Sequence, residues 1–188
     1  MYKLTESSGH PENIIVLSDG ATDEIFSNLG YSDVSEIEFN PGVGRDELGK
    51  PLTSWETYVI VNQPIPLHAR KGDRRRRFIQ VRGILDPASS GKVHHLVLKS
   101  GDWFSTGDTG GGVREVTVSE PGKESRKVNA TEAVLGQGIA KEIGPDYMKP
   151  SLEVGDVFNM GDKYWVVAGI MDSGGSTFDS EIWAKWKT

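Results

Sequence analysis

Residues 74–77 are four consecutive arginines, and with Arg70 and Lys71 they make the densest cluster of charge in the chain. Arg74, Arg75, Arg76 and Arg77 read in two ways. One is a contact for phosphate, anionic lipid head groups or another acidic partner. The other is a solvated loop ahead of a strand, the usual fate of a run of like charges. No aromatic residue interleaves with the arginines, as a single-strand nucleic-acid binder would require.

Other reactive residue types are sparse. His94 and His95 are adjacent, whereas a strand offers two ligands to one metal ion at i and i+2 and a helix at i and i+4. Gly110-Gly111-Gly112 has no Gly-Lys-Ser/Thr and no strand-to-helix context, so it reads as a loop and not as a phosphate cradle. Gly174-Gly175-Ser176 lacks the Gly-x-Ser-x-Gly spacing of a nucleophile elbow. Asp172, Asp179 and Glu181 cluster near the C-terminus but do not follow the calcium-loop pattern of an EF-hand. The plain reading of Asp172 and Asp179 is the satisfaction of turn backbone. A stand-alone hydrolase would have to draw on these three carboxylates. The chain has no cysteine, which excludes disulfides, thiolate metal sites and cysteine nucleophiles.

The bulk composition fits an ordinary globular chain. Of 188 residues, 36% are hydrophobic and 26% charged, and 21 basic against 27 acidic side chains give a net charge of −6. That balance weighs against nucleic acid as a partner. No apolar run approaches the roughly 20 residues of a membrane span. The N-terminus lacks the apolar core of a signal peptide.

The elements that must position these residues are short. Ile14 to Leu17 reads as a buried strand, 21–29 as a helix and 33–39 as a second strand, a small strand–helix–strand unit. Trp55 to Val61, Phe78 to Leu85, 96–98 and Val113 to Val118 read as strands, with a glycine loop at 107–112. Phe78, Gln80 and Arg82 form one polar strand face. Residues 121–129 read as a surface insertion. Residues 131–143 read as a strand entering a helix that stops at Gly144. Residues 154–171 carry a hairpin signal about Gly161-Asp162. A final strand or turn covers 178–186. Trp165, Trp183 and Trp186 crowd the last quarter, where most such aromatics are core. The expected class is α+β: a small strand–helix–strand lobe with a β-rich lobe.

One stretch goes further. Leu152-Glu153-Val154-Gly155-Asp156, then 165–170, then Gly174-Gly175-Ser176-Thr177-Phe178-Asp179-Ser180-Glu181-Ile182-Trp183 resembles the extracytoplasmic, or periplasmic core, domain of MacB/FtsX-type ABC transporter permeases, in the branch near the DevC exporters. Within it Trp165, Gly169, Gly174, Gly175, Ser176, Phe178, Glu181 and Trp183 match the motif as structural residues. Shorter pieces agree in order: 13–17 with 19–22, 58–61, Val81-Arg82-Gly83-Ile84, 114–118 and 135–140. The 119–129 stretch departs as an insertion, and the family's domain continues beyond the Glu-Ile-Trp stretch.

The resemblance implies one extracytoplasmic domain over 1–188. Segments 13–57 and 131–188 would form its membrane-proximal lobe, and 58–130 a β-rich distal lobe. It implies transmembrane helices outside this chain, a second permease subunit as homodimer partner, a cytoplasmic ATPase subunit and a periplasmic adaptor. It implies no catalytic residue, no cofactor and no metal. The fragment would be a piece of a longer permease that couples ATP-driven movement to a substrate or partner protein.

Overall fold

The computed structural model describes residues 11–106, 112–119 and 124–186. The first ten residues, the glycine loop at 107–111 and the part of the expected insertion at 120–123 lie outside that set.

The class is α+β. Among the described residues eight strands make one sheet: β1 (Glu56–Pro64), β2 (Arg76–Ile84), β3 (Val97–Gly101), β4 (Val113–Val118), β5 (Arg126–Gly136), β6 (Val157–Met160), β7 (Lys163–Asp172) and β8 (Glu181–Lys185). The helices are short: α1 (Tyr31–Glu38), α2 (Pro87–Val93) and α3 (Gln137–Ile143).

The sheet runs β1-β2-β8-β5-β7-β3. β5 and β7 lie parallel at its centre, and each is long enough to serve two partners on its other side. The first half of β5 pairs with β4 and its last residues with β8. The first half of β7 pairs with β6 and its second half with β3. Strands from 58–130 and from 131–188 therefore hydrogen-bond into the same sheet. Both faces are covered, which is why β5 and β7 read as near-continuous buried runs and not as alternating ones. On one face α3 packs over Ile79, Val81, Leu135, Val167 and Ile182. The other face holds Ile84, Leu96, Phe104, Val134, Met171, Phe178 and Trp183.

The hairpin of β6 and β7 turns at Gly161-Asp162 as its sequence predicts, with Met160 opposite Lys163. β5 likewise runs straight into α3. The residues 126–129 expected in a surface insertion are instead the start of β5, paired with β4.

The N-terminal reading is corrected. Residues 13–39 do not form strand–helix–strand. Ile14, Ile15 and Val16 are exposed coil, residues 24–26 make one 3-10 turn, and 31–38 is the helix α1. A strand needs a neighbour to satisfy its backbone, and no strand pairs with 14–17. In α1, Val34 and Ile37 stand at helical spacing, and the Asp33 carboxylate accepts the Gly30 N–H at 2.9 Å, stapling the first turn.

Two glycine positions hold the C-terminal motif in shape. Gly174 and Gly175 have φ of 57° and 79°, and the Ser176 N–H donates to the Ser173 carbonyl at 2.9 Å. Such a turn, with both central φ positive, favours glycine at both places. Gly136 closes β5 beneath the 3-10 turn at Thr177–Ser180. A Cβ there would stand 2.3 Å from the Phe178 carbonyl oxygen and 2.4 Å from that of Asp179. Gly136→Ala is thus expected to cost about 1–3 kcal/mol, since backbone and not a flexible side chain must yield. A denaturant midpoint within error of wild type would show that the turn does not pack there.

Candidate functional site

The least ordinary constellation centres on Arg82. It lies on β2 between β1 and β8, on the face that carries Trp183, and it is 6% exposed. A buried guanidinium requires acceptors for all five of its N–H groups, and each finds one. Nε and Nη2 donate to the two oxygens of Glu181 at 2.8 and 2.9 Å. Nη1 donates to Glu56 at 2.5 Å. The remaining N–H groups of Nη1 and Nη2 donate to the two oxygens of Glu24 at 3.1 and 3.2 Å.

Glu181 and Glu56 are held in turn. The Trp183 indole N–H donates to Glu181 Oε2 at 3.0 Å. His94 Nε2 meets Glu56 Oε1 at 2.5 Å, and the Ser54 hydroxyl donates to the same oxygen. The Tyr58 ring lies 5.0 Å from the guanidinium carbon and the Phe178 ring 5.7 Å.

The electrostatics follow from this packing. Burial opposes ionisation of Glu56, but the hydrogen bond and charge of His94, with the charge of Arg82, outweigh it. They hold the carboxyl down at about 2. Arg82 is raised above its ordinary value: burial acts against its charge, and Glu181, Glu56 and Glu24 overcome it. A carboxyl with a depressed folded pKa contributes stability above its unfolded value and loses it as pH falls through the folded value. Glu56 is therefore expected to make the fold acid-sensitive between about pH 4.5 and about pH 2. Asp46, Asp86 and Glu132, also lowered, add to the same trend. Asp146, raised by burial, opposes it. In an acid titration of unfolding free energy, Glu56→Gln should flatten the slope in that window. An unchanged slope would place the acid sensitivity elsewhere.

The arginine run divides. Arg74, Arg75 and Arg76 are exposed; Arg74 pairs with Glu142 at 3.1 Å and Arg76 donates to Asn62. Arg77 is not on the surface. At 2% exposure it is ion-paired with Asp146, and its Nη1 donates to the Glu142 carbonyl at 2.8 Å, capping the C-terminal end of α3. Arg77 Nε and Asp146 Oδ1 are buried without a hydrogen-bond partner.

The C-terminal carboxylates take separate partners. Asp172 is exposed, and its Oδ1 lies 3.4 Å from the Gly174 N–H. Asp179 accepts the Ser173 hydroxyl at 2.6 Å. Glu181 is bound to Arg82. His94 caps the end of α2 and His95 follows in a turn with φ of 55°, so the pair is not on a strand. Among the described residues no group of three or more His, Asp or Glu side chains is placed to hold a metal ion.

Other residues of the C-terminal stretch lie in or against the sheet. Trp165 is buried, stacks on Phe158 and donates to the Met160 carbonyl at 3.1 Å. Gly169 faces Gly101 across the β3–β7 pair. Ser176 is buried at the close of the glycine turn, and Phe178 and Trp183 pack edge to face.

Sequence reasoning passed over Glu24 and Glu56, weighed His94 only as a metal ligand beside His95, and placed Arg82 on a polar face. The available signal was an arginine in β2 flanked by Val81 and followed by Gly83-Ile84, at a position whose neighbours are buried.

No family model matches the chain, and no curated protein does. Among solved structures, the crystal structure of the extracellular domain of the noncanonic ABC-type transporter YknZ from Gram-positive bacteria is similar, with a TM-score of 0.47 and 12% identity. The likeness covers 84% of this chain and 63% of that one, so the chain matches less than two thirds of that domain. No helix among the described residues is long and apolar enough to cross a membrane.

Proposed function

We propose that the chain is the extracytoplasmic domain of an ABC transporter permease of the MacB/FtsX type, in the DevC-like branch. It carries movement driven by a cytoplasmic ATPase to a substrate or partner protein, and performs no chemistry of its own. The permease acts as a homodimer, with a periplasmic adaptor as a further partner. Membrane helices outside this chain tether the domain.

One observation carries the reading: the segments that resemble this family, scattered along the sequence, interlock in space. Arg82 of the Val-Arg-Gly-Ile segment binds Glu181 of the Glu-Ile-Trp segment, 99 residues away. Gly136 of the Leu-Gly-Gln-Gly segment lies directly under the Phe178-Asp179 backbone. Arg114 of the Arg-Glu-Val segment binds Glu132, three residues ahead of the Leu-Gly-Gln-Gly segment, at 2.7 Å. The segments that carry the resemblance thus build the shared sheet and its buried charge. The two lobes assigned to 13–57 with 131–188 and to 58–130 would then be regions of one body. A rigid sheet with a fully partnered buried charge suits an element that transmits displacement better than one that deforms around a ligand.

The test is made on the natural full-length protein. Its reading frame should place one apolar stretch of about 20 residues before this segment and three after it. The purified membrane protein should retain an ATPase subunit through detergent extraction. A natural protein without membrane segments, or one that binds no ATPase, removes the reading.

A further inference from the structure

Residues 11–55 include no buried residue, whereas the core begins at Ile65. Within this stretch the loop 18–28 is closed upon itself. The Ser18 N–H donates to Ser27 Oγ at 2.9 Å, and the Asn28 N–H donates to Ser18 Oγ at 3.1 Å. Asp23 caps the 3-10 turn by accepting the Ile25 N–H at 3.0 Å. Glu24 sits in the middle of that closed loop and reaches Arg82. Ile14, Ile15 and Phe26, which a docked segment would ordinarily bury, are 86%, 70% and 77% exposed.

The Arg82 hub is accordingly asymmetric. Glu181 and Glu56 come from β8 and β1 and cannot leave without breaking the sheet. Glu24 comes from a segment outside the core, is 36% exposed at its side chain, and makes the longest bonds of the five, 3.1 and 3.2 Å. Glu181 and Glu56 take the shorter bonds and the buried side of the guanidinium, and Glu24 its outer edge, so the Glu24 ion pair, the longest and most exposed of the three, is the weakest of the set.

We propose that residues 11–30 are a strap that releases from the sheet as one unit, with Glu24 on Arg82 as its catch. Asn13, whose side-chain amide donates to the Val93 carbonyl at 2.6 Å, is a second tie nearer the N-terminus. Release leaves the core intact, because the strap contributes nothing to it, and bares the outer edge of the Arg82 guanidinium beside the Tyr58 ring. A pull on the chain ahead of Asn13 would load the strap's ties, these two among them, before it reached any core residue. The inference rests on this geometry and not on the transporter reading; it applies equally to a protein free in solution.

The absence of cysteine makes a direct test available. Spin labels at Asp19→Cys, on the exposed strap loop, and Val97→Cys, on the far edge strand, report the strap-to-sheet distance by pulsed electron resonance. One narrow distance is expected in the otherwise native chain. Glu24→Gln should raise the released, broadly distributed fraction roughly two- to fivefold, as expected for one partly exposed ion pair. The melting temperature should stay within about 2 °C, as surface changes usually allow. A distance distribution unchanged by Glu24→Gln overturns the proposal. So does a distribution that broadens only with a matching fall in melting temperature, because the strap would then be part of the core.

Discussion

Replacing Arg82 with alanine is expected to destabilise the fold by about 3–5 kcal/mol, the loss usual when one partner of a buried ion pair is removed. For a chain of this size that is a fall in melting temperature of roughly 6–20 °C. The cause is what remains behind: Glu181, 3% exposed, and Glu56, its side chain 14% exposed, would face each other with no cation between them. Arg82→Lys should recover only part of the loss, because an ammonium has three donors and no planar fork to meet the Glu181 carboxylate with two parallel bonds. The double variant Arg82→Ala with Glu181→Ala should lose less than the sum of the single changes, since each alone strands the other. Thermal denaturation of the wild type, Arg82→Ala, Arg82→Lys, Glu181→Ala and the double variant checks this. Strict additivity would mean that the two side chains do not share one environment.

Trp183→Ala is expected to cost a comparable amount, about 3–5 kcal/mol, for a different reason. Trp183 is completely buried. It stacks against Trp103 with ring centroids 5.8 Å apart and meets Phe178 edge to face at 5.7 Å. Its removal leaves a cavity bounded by two rings that cannot both collapse into it. It also takes from Glu181 the indole hydrogen bond. Trp183→Phe separates these contributions: it keeps most of the packing and loses the donor, so its cost should fall to about 1–2 kcal/mol, nearer that of one hydrogen bond to a charged group. Chemical denaturation followed by far-ultraviolet circular dichroism is the suitable measurement, since five tryptophans share the fluorescence. Equal losses for the alanine and phenylalanine variants would assign the whole effect to the hydrogen bond.

The C-terminal half of the fold was legible in the sequence because its signals are local. The β6–β7 hairpin is marked by Gly161-Asp162 between two strand-like runs, and the end of α3 by Gly144-Pro145. The paired glycines at 174 and 175 announce a turn that few other residues could make. The N-terminal reading failed where a local signal was ambiguous. An aliphatic run such as Ile14 to Leu17 says that burial would be favourable; it does not supply a strand to pair with. Val34 and Ile37 fit both a strand and a helix reading, and the deciding contact was the Asp33 side chain on the Gly30 N–H.

The candidate site was the least legible part. Arg82 alternates with Ile79 and Val81 as a solvent-facing residue would. Its three carboxylates lie 26, 58 and 99 positions away, so no window of sequence contains the constellation. Arg77 was hidden differently. It is the fourth of four like residues, yet it is the one at which β2 enters the covered part of the sheet, and so it is buried where Arg74 is not. Of the segments singled out by the resemblance, 81–84 and 181–183 pair as β2 and β8, whereas 13–17 is coil and not a strand.

The central claim, that this domain works on the extracytoplasmic side of a membrane as part of a transporter, is tested most directly by labelling in whole cells. Leu48 is 91% exposed, and a cysteine in its place would be unique within this segment. The natural full-length protein carrying Leu48→Cys is expressed in its membrane and treated with a maleimide that does not cross lipid. The account predicts rapid modification in intact cells whose outer barrier has been made permeable, to the same extent as after lysis. Modification only after lysis would place the domain on the cytoplasmic side and contradict the account.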